Sequence, residues 1–465
     1  MIPVRGFAGK RVAVFGLART GLAAARALIA GGAQVALWDD KLSSRETAAS
    51  EGLPVVDLTA ADFSDFDALL LSPGVPLTHP APHWTVEKAK EAGVEILGDV
   101  ELFARTVNTA PVQKRPKVCA ITGTNGKSTT TALIGHICQS AGQDVRVGGN
   151  IGFGVLGLDD MHAGAIYVLE LSSYQLDLTS SLRPDAAVLL NITPDHLDRH
   201  GGMDGYIAAK KRIFLNQGPN DTAVIGVDDA YCQRICTEIS GSNRRLVRPI
   251  SAGRAISRGV YALQGLLYDA IGERTVEVSD LTAARALLGR HNWQNAAAYA
   301  AAIALGLSSQ EAVAGLISFP GLAHRMQEVA RRGQVVFVND SKATNADAAR
   351  QAMSSYARFY WIAGGVAKAG GIDSLSDLYP RIEKAYLIGE AAGEFAAALG
   401  EAAPHKLCGD LEVAVEAAYA DAQAAGGKAV ILLSPACASF DQFPDFEVRG
   451  DAFTQTARRL TGFVS

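Results

Sequence analysis

The stretch Val118-Cys119-Ala120-Ile121-Thr122-Gly123-Thr124-Asn125-Gly126-Lys127-Ser128-Thr129 decides the fold. Its first four residues are a short apolar run that reads as a strand, and a helical segment is expected from Thr130 to Ala141. Glycines between a strand and a helix let the backbone aim several N–H groups at one anion, and the helix N-terminus adds partial positive charge. Lys127 would then reach the outer phosphates, and the Ser128 hydroxyl suits a divalent cation riding on them. The loop is a compact G-x-x-G-K-S, because Ile121 stands where the longer phosphate-loop pattern has its first glycine. A plain glycine-rich turn is the competing reading, and Lys-Ser directly after the second glycine weighs against it.

Around this loop the chain reads as repeated α/β units. Arg11 to Phe15 is a strand, Gly16 to Gly21 a turn, Leu22 to Ala30 an alanine-rich helix, and Gln34 to Trp38 a strand ending at Asp39-Asp40. This is similar to a dinucleotide fingerprint, with an acidic residue placed to meet a ribose hydroxyl. Ala18 replaces the middle glycine, however, which disfavours NAD and leaves open a nucleotide bound in another way or a purely structural turn. Leu69 to Leu71 runs into Ser72-Pro73-Gly74, another strand end.

A polar, proline-bearing linker is expected around Asn108 to Pro116. Beyond the phosphate loop, strands end at Gly149-Asn150, at Glu170-Leu171-Ser172-Ser173 and at Asn191 through Asp195-His196-Leu197-Asp198. In a parallel sheet these carboxyl ends share one crevice. Ser240 to Asp280 leans towards β-structure, and Gly289 to Asn295 opens a helix expected to run to about Leu305. A second boundary falls near Phe319-Pro320-Gly321; beyond it, strands end at Asn339-Asp340-Ser341-Lys342-Ala343-Thr344-Asn345, at Gly364-Gly365, at Gly389-Glu390 and at Ser434 to Ser439. The expected architecture is three α/β domains: a Rossmann-like domain over 1–110, a central phosphate-loop domain over 111–320 and a Rossmann-like domain over 321–465.

Composition narrows the class. The 465 residues are 48% hydrophobic and 20% charged, a globular balance, and the net charge of −5 gives no basic surface for nucleic acid. Six scattered cysteines lack zinc spacing, including Cys232 and Cys236, and fit a reducing cytoplasm. Met1 to Arg11 has no signal-type apolar run, and Ala296 to Leu307 is too short to span a bilayer, so a soluble cytoplasmic protein is expected.

A triphosphate site needs oxygen ligands for its metal, and Glu170 is the best carboxylate; the alternative is a cap on the next helix. His196 lies in a charged cluster where phosphate chemistry would occur. Lys210 and Lys211 read from sequence as a solvated helix face. Arg325, Lys342 and Lys368, with the hydroxyls of Thr344 and Ser439, stand at strand ends of the last domain and together suggest an anionic second substrate.

The loop from Thr122 to Thr129, Gly149-Asn150-Ile151-Gly152, Glu170 to Ser173, Asp195 to Asp198 and His291-Asn292-Trp293-Gln294-Asn295 resemble the Mur ligases, which build the peptide of bacterial peptidoglycan. Asn339 to Asn345 and Ser434 to Phe443 are similar to the branch that adds D-glutamate, and the resemblance runs over the whole chain. It implies that ATP phosphorylates the carboxylate of UDP-N-acetylmuramoyl-L-alanine and that the amine of D-glutamate displaces phosphate through a tetrahedral intermediate. Another ADP-forming amide ligase of the same fold, such as one adding glutamate to folate, is the runner-up, and a nucleotide-dependent switch or binding protein is the alternative from another class.

Carried over residue by residue, the resemblance places Gly123, Thr124, Asn125, Gly126, Lys127, Ser128 and Thr129 on the phosphates. Asn292, Asn295, Arg325, Asp340 and Lys342 fall elsewhere on ATP. Ser128 and Glu170 would serve one Mg²⁺, and His196 and Lys210 a second. Lys210 matches the family lysine that becomes a carbamate, in preference to Lys211. Thr20, Gly21, Asp39, Ser72 and Gly74 would line the UDP pocket, with Asn150 and His196 nearer the muramoyl part. Thr344, Lys368, Ser439 and the backbone at Phe446 would hold D-glutamate. A monomer without membrane insertion is expected, and since each of the three domains would hold one ligand, closure chiefly by the third domain is expected to assemble the site.

Overall fold

Apolar runs too short for helices, closed by glycine, proline or aspartate, become strands, and the alanine-rich stretches between them become helices. The computed structural model describes residues 1–242, 244–283, 298–368 and 370–462. It divides into two compact units, Met1–Phe319 and Pro320–Ser465.

The first sheet has strands β1 (Arg11–Phe15), β2 (Gln34–Trp38), β3 (Ala68–Leu71) and β4 (Glu95–Leu97), all parallel in the order β2-β1-β3-β4. The helix after β1 spans Arg19–Ala30 and starts before the expected Leu22. Gly21 lies in its first turn because a Cβ there would come within 1.8 Å of the Gly16 carbonyl oxygen.

The second sheet contains β5 (Lys117–Thr122), β6 (Asp144–Gly149), β7 (Ala165–Glu170), β8 (Ala186–Leu189), β9 (Thr222–Gly226) and β10 (Leu246–Ser251). It continues through β11 (Val260–Leu263), β12 (Leu266–Asp269) and β13 (Val276–Asp280). Its order is β13-β12-β11-β10-β9-β8-β5-β7-β6; the pairs from β6 to β11 are parallel, and β11, β12 and β13 pair antiparallel at one edge. From β5 the chain runs to β6 at the edge, comes back to β7 between them, then crosses to β8 on the opposite side of β5. That reversal opens a crevice at the carboxyl end of β5. The sequence expectation of a long helix to Leu305 is described only as Tyr299–Ala304; Asn292 and Asn295 lie outside the described residues.

The expected boundary near residue 110 lies inside the first unit. The Ile2 N–H bonds Leu156 O at 2.9 Å, and one apolar core includes Val12, Val14 and Phe103 together with Tyr167 and Leu189. The helix Asp99–Thr109 presents buried Glu101, which accepts the N–H groups of Ser180 and Ser181 at 2.7 and 2.9 Å and pairs with Arg105 at 2.8 Å.

The second unit carries β14 (Gln327–Arg332), β15 (Val335–Asn339), β16 (Phe359–Gly364), β17 (Ile382–Ile388), β18 (His405–Gly409) and β19 (Ala429–Leu433), in the order β14-β15-β19-β16-β17-β18. Only β14 runs antiparallel to its neighbour. Placing β19 between β15 and β16 sets three strand ends side by side. Among the described residues no helix is long and apolar enough to cross a membrane.

Asp99 gives a stability prediction. Its side chain is buried, neither carboxyl oxygen makes a hydrogen bond of ordinary geometry, and burial pushes its pKa up to about 6. A carboxyl with a raised folded pKa costs stability above that pKa and nothing below its unfolded value. Asp99→Asn should therefore stabilise the protein at pH 8 by on the order of 1–2 kcal/mol, with the gain vanishing below pH ~4. Urea denaturation at the two pH values measures it; an equal effect at both would refute it.

Candidate active site

The helix after β5 begins at Lys127, not at the expected Thr130. Gly126 has φ +82°, a left-handed cap that a residue with a Cβ adopts only at a cost, and it turns the chain directly into the helix. Lys127, Ser128 and Thr129 thus form the first helical turn, whose N–H groups lack helical acceptors and point outward. The loop is clamped from β8's end: Thr124 N–H bonds Asn191 O at 2.9 Å, Asn125 N–H bonds Asn191 Oδ1 at 2.8 Å, and Asn191 Nδ2 returns to Asn125 O at 3.0 Å. Thr124 Oγ1 adds a bond to Thr193 O at 3.1 Å and lies 3.1 Å from the Tyr206 hydroxyl.

Two ammonium groups meet on this loop. Lys127 Nζ donates to Gly123 O at 2.9 Å and Thr124 O at 2.7 Å; Lys210 Nζ donates to the same Gly123 O at 2.8 Å. Lys210 is 1% exposed and sits 4.6 Å over the Tyr206 ring, so the solvated face read from its sequence is corrected. The helix Met203–Lys211 turns Tyr206, Ala209 and Lys210 inward. Lys211 points the other way, to Glu238 at 2.7 Å. Burial, and then the neighbouring Lys127 charge, pushes the Lys210 pKa down to about 7.

Glu170 is 2% exposed and lies directly opposite Ile121 in the β5–β7 register. Its Oε1 accepts Asn150 Nδ2 at 2.9 Å, while Oε2 is buried without a hydrogen-bond partner. It is no helix cap: Ser172 and Gln175 form the capping box of Ser173–Asp177. His196 has φ +52°, lies 3.4 Å from Asp195 Oδ2 and packs on Tyr174 at 5.0 Å between ring centroids. Among the described residues no three His, Cys, Asp or Glu side chains are grouped to hold a metal. The buried Glu170 Oε2 is an oxygen here that could take part in holding a cation, whereas Lys210 could contribute only after losing its positive charge.

At the first sheet, the fingerprint acid turns inward. Asp39 Oδ2 accepts Leu17 N–H at 2.7 Å, its Oδ1 accepts Lys41 N–H at 2.9 Å, and Ser72 Oγ donates to Gly16 O at 2.8 Å. Both residues hold the turn leading to Thr20 and Gly21, while Gly74 is exposed on the loop after β3.

In the second unit Asp340 is buried, accepts Ser434 Oγ at 2.8 Å and Met326 N–H at 3.3 Å, and is pushed by burial up to about pKa 7, with Arg325 opposing. Lys342 Nζ lies 3.9 Å over the Phe446 ring, and Thr344 N–H bonds Lys342 O at 2.8 Å. Ser439 is buried and Lys368 exposed. Arg449, absent from the sequence reading, is 1% exposed and ties Ser341 Oγ and O to Cys437 O at 2.9–3.0 Å.

Three family models match: the Mur ligase MurD-like N-terminal domain over residues 10–98, the Mur ligase middle domain over 121–304 and the Mur ligase glutamate ligase domain over 324–437. A UDP-N-acetylmuramoylalanine–D-glutamate ligase of Caulobacter vibrioides is 75% identical over 99% of this chain and 98% of its own length. The chain belongs to the Mur ligase family. A ligase of the same name from Agrobacterium fabrum is 54% identical over 100% of this chain and 98% of its own length. Among solved structures, the UDP-N-acetylmuramate-alanine ligase of Thermotoga maritima aligns with TM-score 0.56 at 16% identity, covering 97% of this chain and all of that one, which shows the shared three-domain α/β fold.

Asn191, Tyr174, His200 and Tyr206 escaped the sequence reading as site residues. The only signal for Tyr206 was its place one helical turn before Lys210. Gly126→Ala should strain the cap by about 1 kcal/mol and misalign the first-turn N–H groups, weakening binding of a fluorescent ATP analogue roughly tenfold. Unchanged affinity in an equilibrium titration would refute this role for the cap.

Proposed function

We propose that this Mur ligase is an ADP-forming enzyme joining D-glutamate to UDP-N-acetylmuramoyl-L-alanine, in cytoplasmic peptidoglycan precursor synthesis. The observation that carries the reading is the 75% identity, over 99% of the chain, to a ligase bearing that name. The phosphate loop supplies the matching chemistry. The proposed domain ranges are 1–110 for the UDP moiety, 111–320 for ATP and 321–465 for D-glutamate, in a monomer.

The difficulty in the first step is approach of two anions, the acceptor carboxylate and the γ-phosphate. Loop and first-turn N–H groups from Gly123 to Thr129 receive the phosphates, and Lys127 exchanges its loop carbonyls for phosphate oxygens. The carboxylate oxygen attacks γ-phosphorus, giving an acyl phosphate and ADP. The D-glutamate amine then attacks the acyl carbon, loses a proton and, through a tetrahedral intermediate, expels phosphate.

Residues for a metal fit the site: Ser128 and Glu170 would hold one Mg²⁺, and His196 with carbamylated Lys210 a second. The buried Oε2 of Glu170, which makes no hydrogen bond, is an oxygen donor suited to a cation. When bound, Mg²⁺ supplies the positive charge that screens the two reacting anions from each other. Lys210 suits carbamylation because burial keeps much of its amine neutral near pH 7. The neutral nitrogen bonds the carbon of CO₂ and releases a proton; the cation becomes an oxygen-donor anion, and its repulsion with Lys127 becomes attraction.

Asn292, Asn295, Arg325, Asp340 and Lys342 are assigned to ATP, and Thr344, Lys368, Ser439 and the Phe446 backbone to D-glutamate. Thr20, Gly21, Asp39, Ser72 and Gly74 are assigned to UDP, with Asn150 and His196 towards the muramoyl part. Asp39 and Ser72 support this by shaping the turn that meets the nucleotide.

ADP release should require both UDP-N-acetylmuramoyl-L-alanine and D-glutamate. Release with L-lysine or diaminopimelate in place of D-glutamate would overturn the assignment. Lys210→Ala should lose about 100-fold in activity and regain part of it with added short-chain carboxylates, since a diffusible oxygen donor replaces the carbamate. Full activity in the untreated variant would remove Lys210 from the site.

A further inference from the structure

His200 is buried beside the site, and the reaction as described makes no use of it. Its side chain is 2% exposed; Nε2 lies 2.9 Å from Ser173 Oγ and Nδ1 3.0 Å from Asp177 Oδ2. Ser173 and Asp177 are the first and last residues of a single five-residue helix, which begins just beyond Glu170 at the end of β7. One imidazole therefore spans that helix end to end. A carboxylate only accepts, so it favours a hydrogen on Nδ1 and leaves Nε2 to accept from the Ser173 hydroxyl.

The ring also reaches the other proposed ligands. It stacks on Tyr174 with centroids 5.4 Å apart and planes at 13°, and Tyr174 in turn meets the His196 ring at 5.0 Å. On its other side Tyr206 lies 5.5 Å away; Tyr206 carries Lys210 Nζ 4.6 Å above its ring and faces Thr124 Oγ1 at 3.1 Å. The short helix Leu197–His200 needs such support. His196 before it has φ +52°, a conformation that residues other than glycine adopt when surroundings hold them, and left-handed Gly201 follows it.

We propose that His200, held by Ser173 and Asp177, is a positioning residue that aligns His196 and Lys210 with Glu170 and thereby sets the affinity of the site for a divalent cation. The inference rests on the assignment of those three residues as ligands. Partners that orient a ligand without touching the metal typically govern affinity by one to two orders of magnitude. Serine, histidine and aspartate also form nucleophilic triads, but Ser173 is 3% exposed and its hydroxyl faces a packed ring, which leaves no room for a substrate carbonyl.

The test measures Mn²⁺ affinity by electron paramagnetic resonance, with a non-hydrolysable ATP analogue and bicarbonate, alongside steady-state kinetics. His200→Phe keeps the ring and removes both polar contacts; it should weaken Mn²⁺ binding roughly 10–100-fold and lower kcat while KM for D-glutamate stays within about twofold. Asp177→Asn retains an acceptor for Nδ1 and should restore most of the affinity that Asp177→Ala loses. If His200→Phe does not fold, Ser173→Ala decides, with weakened Mn²⁺ binding expected. Wild-type Mn²⁺ affinity in the folded variants would overturn this proposal alone. A wild-type protein that binds no Mn²⁺ with the analogue would overturn the ligand assignment and this proposal together.

Discussion

Two lysine ammonium groups share one carbonyl oxygen, that of Gly123, at 2.9 and 2.8 Å. Like charges converging in a partly buried crevice repel, and the repulsion adds to burial in making the Lys210 ammonium unfavourable. An anion entering the loop relieves both strains, so the loop is poised for phosphate before any arrives. Rigidity is what keeps the arrangement from relaxing. Asn191 grips the loop from β8, and Thr124 ties it to Thr193 and Tyr206, so the lysines cannot separate by moving the backbone that they share.

The sheet makes that rigidity available. Ile121 lies opposite Glu170 and Thr122 opposite Leu189, so β5 ends level with both neighbours. Register of this kind fixes where three strand ends release their loops, and parallel pairing releases them all on one side. The carboxylate of Glu170, the clamp of Asn191 and the loop itself then meet without any of them being close in sequence.

Such convergence explains what could be read beforehand. Strands such as β1, β5 and β7 were legible because continuous apolar runs ended in glycine or polar residues, and the phosphate loop was legible because its residues act together over eight positions. The start of its helix was not, since Gly126's left-handed cap is a conformational choice that composition leaves open. Lys210 was hidden for a different reason. Amphipathic reading counts every lysine as outward, yet the inward face of its helix is set by Tyr206 and by the loop that it covers, both tertiary facts. Asp39 was visible as a strand-end acid, but its bond to Leu17 could come only from the fold. His200 lies two residues beyond the Asp195–Asp198 cluster, and its partners Ser173 and Asp177 lie on another helix, which no local pattern links to it.

The second unit uses the same physical device with different charges. Burial lifts Asp340 to about pKa 7, and burial lowers Arg449 to about 10, although each sits among strand-end loops that carry hydroxyls and backbone donors. Arg449 spends its N–H groups on Ser341 and Cys437, yet its buried Nη1 has no hydrogen-bond partner. Desolvated charges of this kind are costly, and the hydrogen bonds they make to neighbouring loops offset part of that cost. In both units a group that burial disfavours is held by hydrogen bonds to strand-end loops: Lys210 to Gly123 O, Arg449 to Ser341 and Cys437 O, and Asp340 to Ser434.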